Sequence, residues 1–209
     1  MGRTANSGTE QRIMDAAEEL FLEKGYILAT TVKIAEIAGV THAMLHYYFR
    51  TKEQIFLKVL DKNLQELFTS IRPVMTAGNT GIWETLKGGI STVFDYFEAH
   101  RRFPAMIYDV QRQNPELLAK YRESATVMLR GIAGHHRLRL ENEMEAGRMN
   151  PVDFGQLFFN ILTMTFVTFL SLPIMEDAGK GTGCDIDDFL ENRKQEIIDT
   201  VYFRLYGKV

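Results

Sequence analysis

Ten residues with chemistry to offer crowd into one short stretch: Thr31, Lys33, Thr41, His42, Ala43, Met44, His46, Tyr47, Tyr48 and Lys52. The stretch reads as helix, tight turn, helix, and the second helix keeps one face free. His42, Ala43, Met44, His46 and Tyr47 stand on that face, a mixture of donors, acceptors and apolar groups suited to phosphates and base edges in a DNA major groove.

The elements that position them follow from spacing. Thr31 can cap a first short helix in which Ile34, Ile37 and Ala38 recur at i, i+3, i+4, one buried face. Gly39 can enter the left-handed conformation cheaply, so Ala38-Gly39-Val40 reverses the chain and is expected to bury Val40 between the helices. Thr41 caps the second helix, expected over His42 to Tyr48, with Leu45, Tyr48 and Phe49 turned inward.

These residues resemble the DNA-binding signature of the tetracycline-repressor-like (TetR) transcriptional regulators. The family's Thr, Ile-Ala, Ala-Gly-Val, Ser or Thr, Leu, Tyr-Phe and Lys are matched by Thr31, Ile34-Ala35, Ala38-Gly39-Val40, Thr41, Leu45, Tyr48-Phe49 and Lys52. Ala43 stands where Gly is common and His46 where Tyr is common; both departures lie on the exposed face and bear on the operator sequence, leaving the fold alone. The resemblance implies that Thr31, Thr41, Tyr47, Tyr48 and Lys52 meet phosphates. Ala43, Met44, His46 and His42 are then left to face bases, with Met44 and Ala43 able to touch a thymine methyl.

Composition sets the outer limits. The chain has 209 residues, is 45% hydrophobic and carries net charge −3, which describes a globular protein that does not hold nucleic acid by bulk positive charge. Residues 1–62 hold eight Lys/Arg and eight Asp/Glu, so the DNA-reading part is neutral and weak non-specific affinity is expected. Cys184 is the only cysteine, so there is no intrachain disulfide or thiolate zinc site, and its neighbour Asp185 disfavours a reactive thiolate. The polar opening up to Arg12 is expected to fray, with Arg3 and Arg12 able to reach phosphate; it lacks a signal segment, and the cytoplasm is the expected compartment.

Along the chain, Ile13, Ala16, Ala17, Leu20 and Phe21 mark a first helix from Glu10 to Lys24, closed by Gly25. Thr51 to Gln54 has capping-box spacing and begins a fourth helix running to Pro73, striped with Phe56, Val59, Leu60, Leu64, Leu67, Phe68 and Ile71. A fifth helix carries Trp83, Leu86, Ile90, Val93, Phe94 and Phe97; a short one spans about Ala105 to Gln113; a long one runs from Pro115 to about Glu145, ended by Gly147, with Leu118, Tyr121, Ala125, Met128, Leu129 and Ile132 inward. Residues 154–175 contain no charge, which raises a membrane span, but Gln156, Asn160, Thr163, Thr165, Thr168 and Ser171 interrupt it and Glu176-Asp177 follow. A helix buried by its own domain on one face and by a partner subunit on the other reads the same way. The resemblance implies that this segment and Asp185 to Tyr206 build a dimer interface, with a flexible loop at Ala178 to Gly183 between them.

The expected class is therefore all-α with about nine helices: a three-helix helix-turn-helix domain at 1–51 and a C-terminal helical bundle at 52–209 for ligand binding and dimerisation, with helix 52–72 connecting them. Phe94, Phe97, Phe103, Met106, Tyr108, Met128 and Phe158 can line an apolar ligand cavity or simply form core. No His has the Glu three residues before it that bundle metal sites need, His135-His136 diverge on a helix, and no nucleophile motif or phosphate loop is present, so no metal, cofactor or catalytic residue is expected. The expected activity is that of a homodimeric regulator, not an enzyme, released as a repressor from a palindromic double-stranded DNA operator by an unidentified small apolar or amphipathic effector. Activation and control by a protein partner stay open as alternatives.

Overall fold

A computed structural model describes residues 2–76, 80–119, 121, 134, 136–182 and 185–208. Ten α-helices occur among them, with no strand: α1 (Gly2–Leu28), α2 (Thr31–Ile37), α3 (His42–Tyr48), α4 (Lys52–Thr76), α5 (Ile82–Ala99), α6 (Phe103–Gln113), α7 (136–145), α8 (Phe154–Leu170), α9 (Leu172–Thr182) and α10 (Ile186–Tyr206). A 3-10 turn, Pro115–Leu118, follows α6. The chain leaves helical geometry at Gly25, Gly39 and Gly147, all at positive φ, where a Cβ would be strained. The all-α expectation holds.

The chain forms two compact units, Met1–Glu66 with Ala105–Lys120, and Leu67–Pro104 with Tyr121–Val209. In the first, the stripe on α1 predicted from spacing is the core: Ile13, Ala17 and Phe21 are fully buried, and Phe21 meets Phe56 of α4 edge-on at 5.3 Å. Tyr26 closes this aromatic cluster against Phe56 at 5.1 Å. Lys62 and Asn63 reach back from α4 to Glu18 of α1 at 2.7 and 2.6 Å, so the two helices are tied by charge as well as packing.

In the second unit α5, α8 and α10 pack against one another. Phe94 and Phe97 of α5 enclose Phe169 of α8 at 4.9 and 5.8 Å, while Leu190, Ile197, Ile198, Val201 and Leu205 give α10 its buried stripe. Lys194 of α10 pairs with Asp95 of α5 at 3.3 Å, and Asn150 donates its amide to the Leu205 carbonyl at 2.7 Å, closing the C-terminal end of α10.

Several expectations need correction. The backbone is helical from Gly2, so the opening does not begin as coil. Pro73 lies inside α4, which runs to Thr76, because the proline removes only one intrahelical bond and Thr76 ties its hydroxyl to the Arg72 carbonyl at 2.9 Å. The charge-free segment is two helices bent by 52°, broken where Ser171 turns its hydroxyl back onto the Val167 and Thr168 carbonyls; among the described residues no single helix is long and apolar enough to cross a membrane. Ala178 to Thr182, expected as loop, continues α9, where Lys180 and Asp177 pair at 2.8 Å. The middle of the long helix expected after Pro115, with Ala125, Met128, Leu129 and Ile132, lies outside the described residues, as do His135, Gly183 and Cys184.

Candidate nucleic-acid interface

Helices α2 and α3 form the corner that the spacing implies. Ile34 and Leu45 are fully buried and Phe49 is nearly so, fixing the backs of both helices. Ala35, not Ile37, completes the inward face of α2; Ile37 is 42% exposed, and Val40 is only half-buried. The turn is closed by the Gly39 and Val40 amides, which donate to the Glu36 and Ala35 carbonyls at 3.1 and 3.0 Å. Thr41 caps α3 as expected, accepting from the Met44 amide at 3.1 Å. The cap of α2 is Thr30, one residue earlier than expected, with its hydroxyl 3.2 Å from the Lys33 amide. Thr31 is thereby released, and its hydroxyl hydrogen-bonds His42 Nε2 at 3.0 Å across the corner.

The exposed face of α3 carries Thr41, His42, Ala43, Met44, His46 and Tyr47 together, and Tyr48 is half-buried behind them. Tyr47 is 76% exposed, its ring perpendicular to that of Tyr48 at 5.3 Å. His42 and His46, one helical turn apart, meet edge to face at 4.3 Å. Lys33 is exposed but paired with Glu36 at 3.0 Å, which leaves the corner close to neutral.

Lys52, expected at a phosphate, is engaged within its own domain. Its ammonium donates to the carbonyls of Tyr26, Ile27 and Ala29 at 2.8, 3.3 and 3.0 Å and sits 4.3 Å above the Tyr26 ring. Three acceptors match the three protons of an ammonium, so the group is engaged inside the domain at the end of α1. Burial pulls its pKa down, partly offset by Glu53. Beside it, Tyr26 donates to Glu53 at 3.0 Å; burial and that bond raise the phenol well above its ordinary value. Glu53 is held below the usual carboxylate range by its own backbone amide and by the Thr51 and Tyr26 hydroxyls. The first turn of α4 is closed by Thr51, which accepts from the Gln54 amide at 3.3 Å, while the Gln54 side chain accepts from Arg50 N at 2.9 Å. Arg50, between α3 and α4, presents an exposed side chain at the edge of the recognition face that spacing alone did not single out.

The residues considered for a ligand cavity fall in both compact units. Phe94, Phe97 and Phe103 are buried in the second compact unit; Met106 is buried in the first, and Tyr108 is 48% exposed there. Phe158 is half-buried and stacks on Phe154 at 6.2 Å, and Met128 lies outside the described residues. Among the described residues no group of three or more His, Cys, Asp or Glu is arranged to hold a metal.

Comparison with known proteins agrees with this geometry. Residues 13–59 match the family model for bacterial regulatory proteins of the tetR family. The chain is 26% identical over 98 residues to the transcriptional activator FasR of Mycolicibacterium smegmatis, covering 47% of this chain and 44% of that protein. It is 23% identical over 168 residues to the transcriptional repressor AcnR of Corynebacterium efficiens, covering 78% and 82%. The fold superposes on a TetR-like transcriptional regulator from Rhodococcus sp. RHA1 with TM-score 0.69 at 15% identity, over 93% of this chain and 94% of that one. Signature, helical architecture and relatives coincide: residues 13–59 match the tetR family of bacterial regulatory proteins, and the chain as a whole has the fold of TetR-like transcriptional regulators.

Proposed function

We propose that the protein is a homodimeric repressor that holds a palindromic double-stranded DNA operator and is released from it by a small apolar or amphipathic effector. Residues 1–51 serve as the reader and residues 52–209 as the ligand-binding and dimerisation part. The observation that carries the reading is the α3 face: a row of imidazole, thioether and phenol groups exposed on a helix whose opposite side is locked by Leu45 and Phe49.

The division of labour on that face follows from the groups present. Thr31, Thr41, Tyr47 and Tyr48 position the corner on phosphates, with Arg50 supplying the cation that Lys52 cannot offer while its ammonium is engaged. His42, Ala43, Met44 and His46 read bases. Lys33, paired with Glu36, contributes little net attraction until a phosphate displaces the carboxylate. Because the face is nearly neutral, base contacts carry a large share of the binding.

Dimerisation is supported by apolar side chains left exposed on α8 and α10: Phe159, Leu162 and Val167 on one, Tyr202 and Phe203 on the other. The aromatic core around Phe94, Phe97 and Phe169 is where an apolar effector would lodge. Helix α4 begins at the reader and continues past Glu66 into the second unit, so displacement of its far end can alter the reader's position. Selection from a random DNA pool tests the reading of a palindromic operator by two chains. An enriched inverted repeat bound by two chains supports it; no enrichment, or an asymmetric site filled by one chain, overturns it.

A further inference from the structure

His42 and His46 lie one turn apart on the exposed face of α3, with ring centroids at 4.3 Å and both side chains open to solvent. Two imidazoles at i, i+4 on one helical face have the spacing of a bidentate clamp for a borderline-soft divalent ion, and imidazole nitrogens bind zinc at about 2.0–2.1 Å. The Thr31 hydroxyl engages His42 Nε2 at 3.0 Å, which leaves Nδ1 of that ring to serve as the ligand and supplies the outer partner that orients a metal-bound imidazole. Lys33 is paired with Glu36 and the Lys52 ammonium is engaged at the end of α1, so neither holds a free cation over these rings.

The geometry points to a transition-metal site on the recognition helix, formed by His42 and His46, that takes Zn2+ or a stronger imidazole-binding ion such as Cu2+ and switches off base reading when filled. The ion occupies the lone pairs through which the two imidazoles would accept from base edges. It also places a double positive charge where the face is otherwise nearly neutral, which attracts any phosphate. Metal therefore lowers discrimination between operator and other DNA, whereas a simple blockade would lower affinity for both. Water completes the coordination shell. The loss of discrimination rests on the proposed base-reading role of α3; metal binding itself does not.

Calorimetric titration of the free dimer with ZnCl2 at pH 7.5, in a buffer that does not chelate, reads the site without DNA. One ion per chain is expected, with affinity falling at least tenfold in His42→Ala and in His46→Ala. No binding, or binding equally strong in both variants, overturns the site. Affinities of the unaltered protein for its selected operator and for scrambled DNA, with and without saturating ZnCl2, then read the consequence. The ratio between the two DNAs should fall about tenfold, with affinity for scrambled DNA unchanged or higher. An unchanged ratio, or equal losses on both DNAs, overturns the switch. A protein that binds the metal but prefers no DNA sequence would leave the site standing and defeat the proposed function instead.

Discussion

Replacing Lys52 by Met keeps the aliphatic stem and removes only the ammonium, so it isolates what that charge does. The carbonyls of Tyr26 and Ala29 are partly buried and would lose their donor, whereas water can reach that of Ile27. An orphaned buried acceptor costs about 1–3 kcal/mol, and loss of the contact over the Tyr26 ring adds about 0.5–1 kcal/mol. A total near 3 kcal/mol corresponds to a melting temperature lower by roughly 6–12 °C for a chain of this size. Thermal denaturation measures it, and operator affinity across a salt series supplies the control. A phosphate contact would flatten the salt dependence by about 0.9 per half-site when removed, whereas an internal clasp leaves the slope in place. Unchanged stability with a flattened slope would refute the clasp and return Lys52 to the phosphate-binding role that the resemblance implies.

The interface, the effector and the Tyr26–Glu53 pair give three further expectations. Phe203→Glu should yield folded monomers by sedimentation, because Phe203 is 68% exposed in the single chain; one large apolar side chain is worth about 1.5–3 kcal/mol and appears twice in a symmetric interface, so dimer dissociation should strengthen by two to four orders of magnitude, roughly. Val201→Asp would not test this, since Val201 is 2% exposed within its own subunit. Any amphipathic small molecule that raises the melting temperature should lower operator affinity by the same linkage, adding about 2.7 kcal/mol of stability at one hundred times its Kd; a stabilising ligand that leaves DNA affinity untouched would break the coupling. The raised Tyr26 phenol favours its protonated form in the fold, so its contribution is full below pH 10 and lost as pH rises beyond it; the lowered Glu53 carboxyl contributes above pH 4.5 and loses that contribution as pH falls. Tyr26→Phe should flatten the alkaline limb of a stability–pH profile and Glu53→Gln the acid limb.

Local chemistry made the corner legible. Gly39, Thr41 and the inward Leu45 and Phe49 each leave a mark that spacing can read. The α2 cap was displaced by one residue because Thr30 and Thr31 can both cap and only the backbone decides. Lys52 was opaque for a different reason: three carbonyls from the end of α1 converge on it, and nothing in the local pattern near residue 52 records where residues 26 to 29 lie. The bend at Ser171 was hidden within a charge-free run that already held several hydroxyl residues, since a serine hydroxyl competing for helix carbonyls has no signature in hydropathy. In the aromatic residues considered for the ligand cavity, type alone could not distinguish buried Phe94 from exposed Tyr108.

The central claim is that the exposed face of α3 reads sequence, and His46 is its sharpest probe because it departs from the family pattern on that face. Affinities of the unaltered protein and of His46→Ala for the selected operator and for scrambled DNA, measured in metal-free buffer across a salt series, test it directly. A loss of about 1–3 kcal/mol on the operator alone, with the scrambled affinity and the salt slope unchanged, is the predicted result. Equal losses on both DNAs would contradict it.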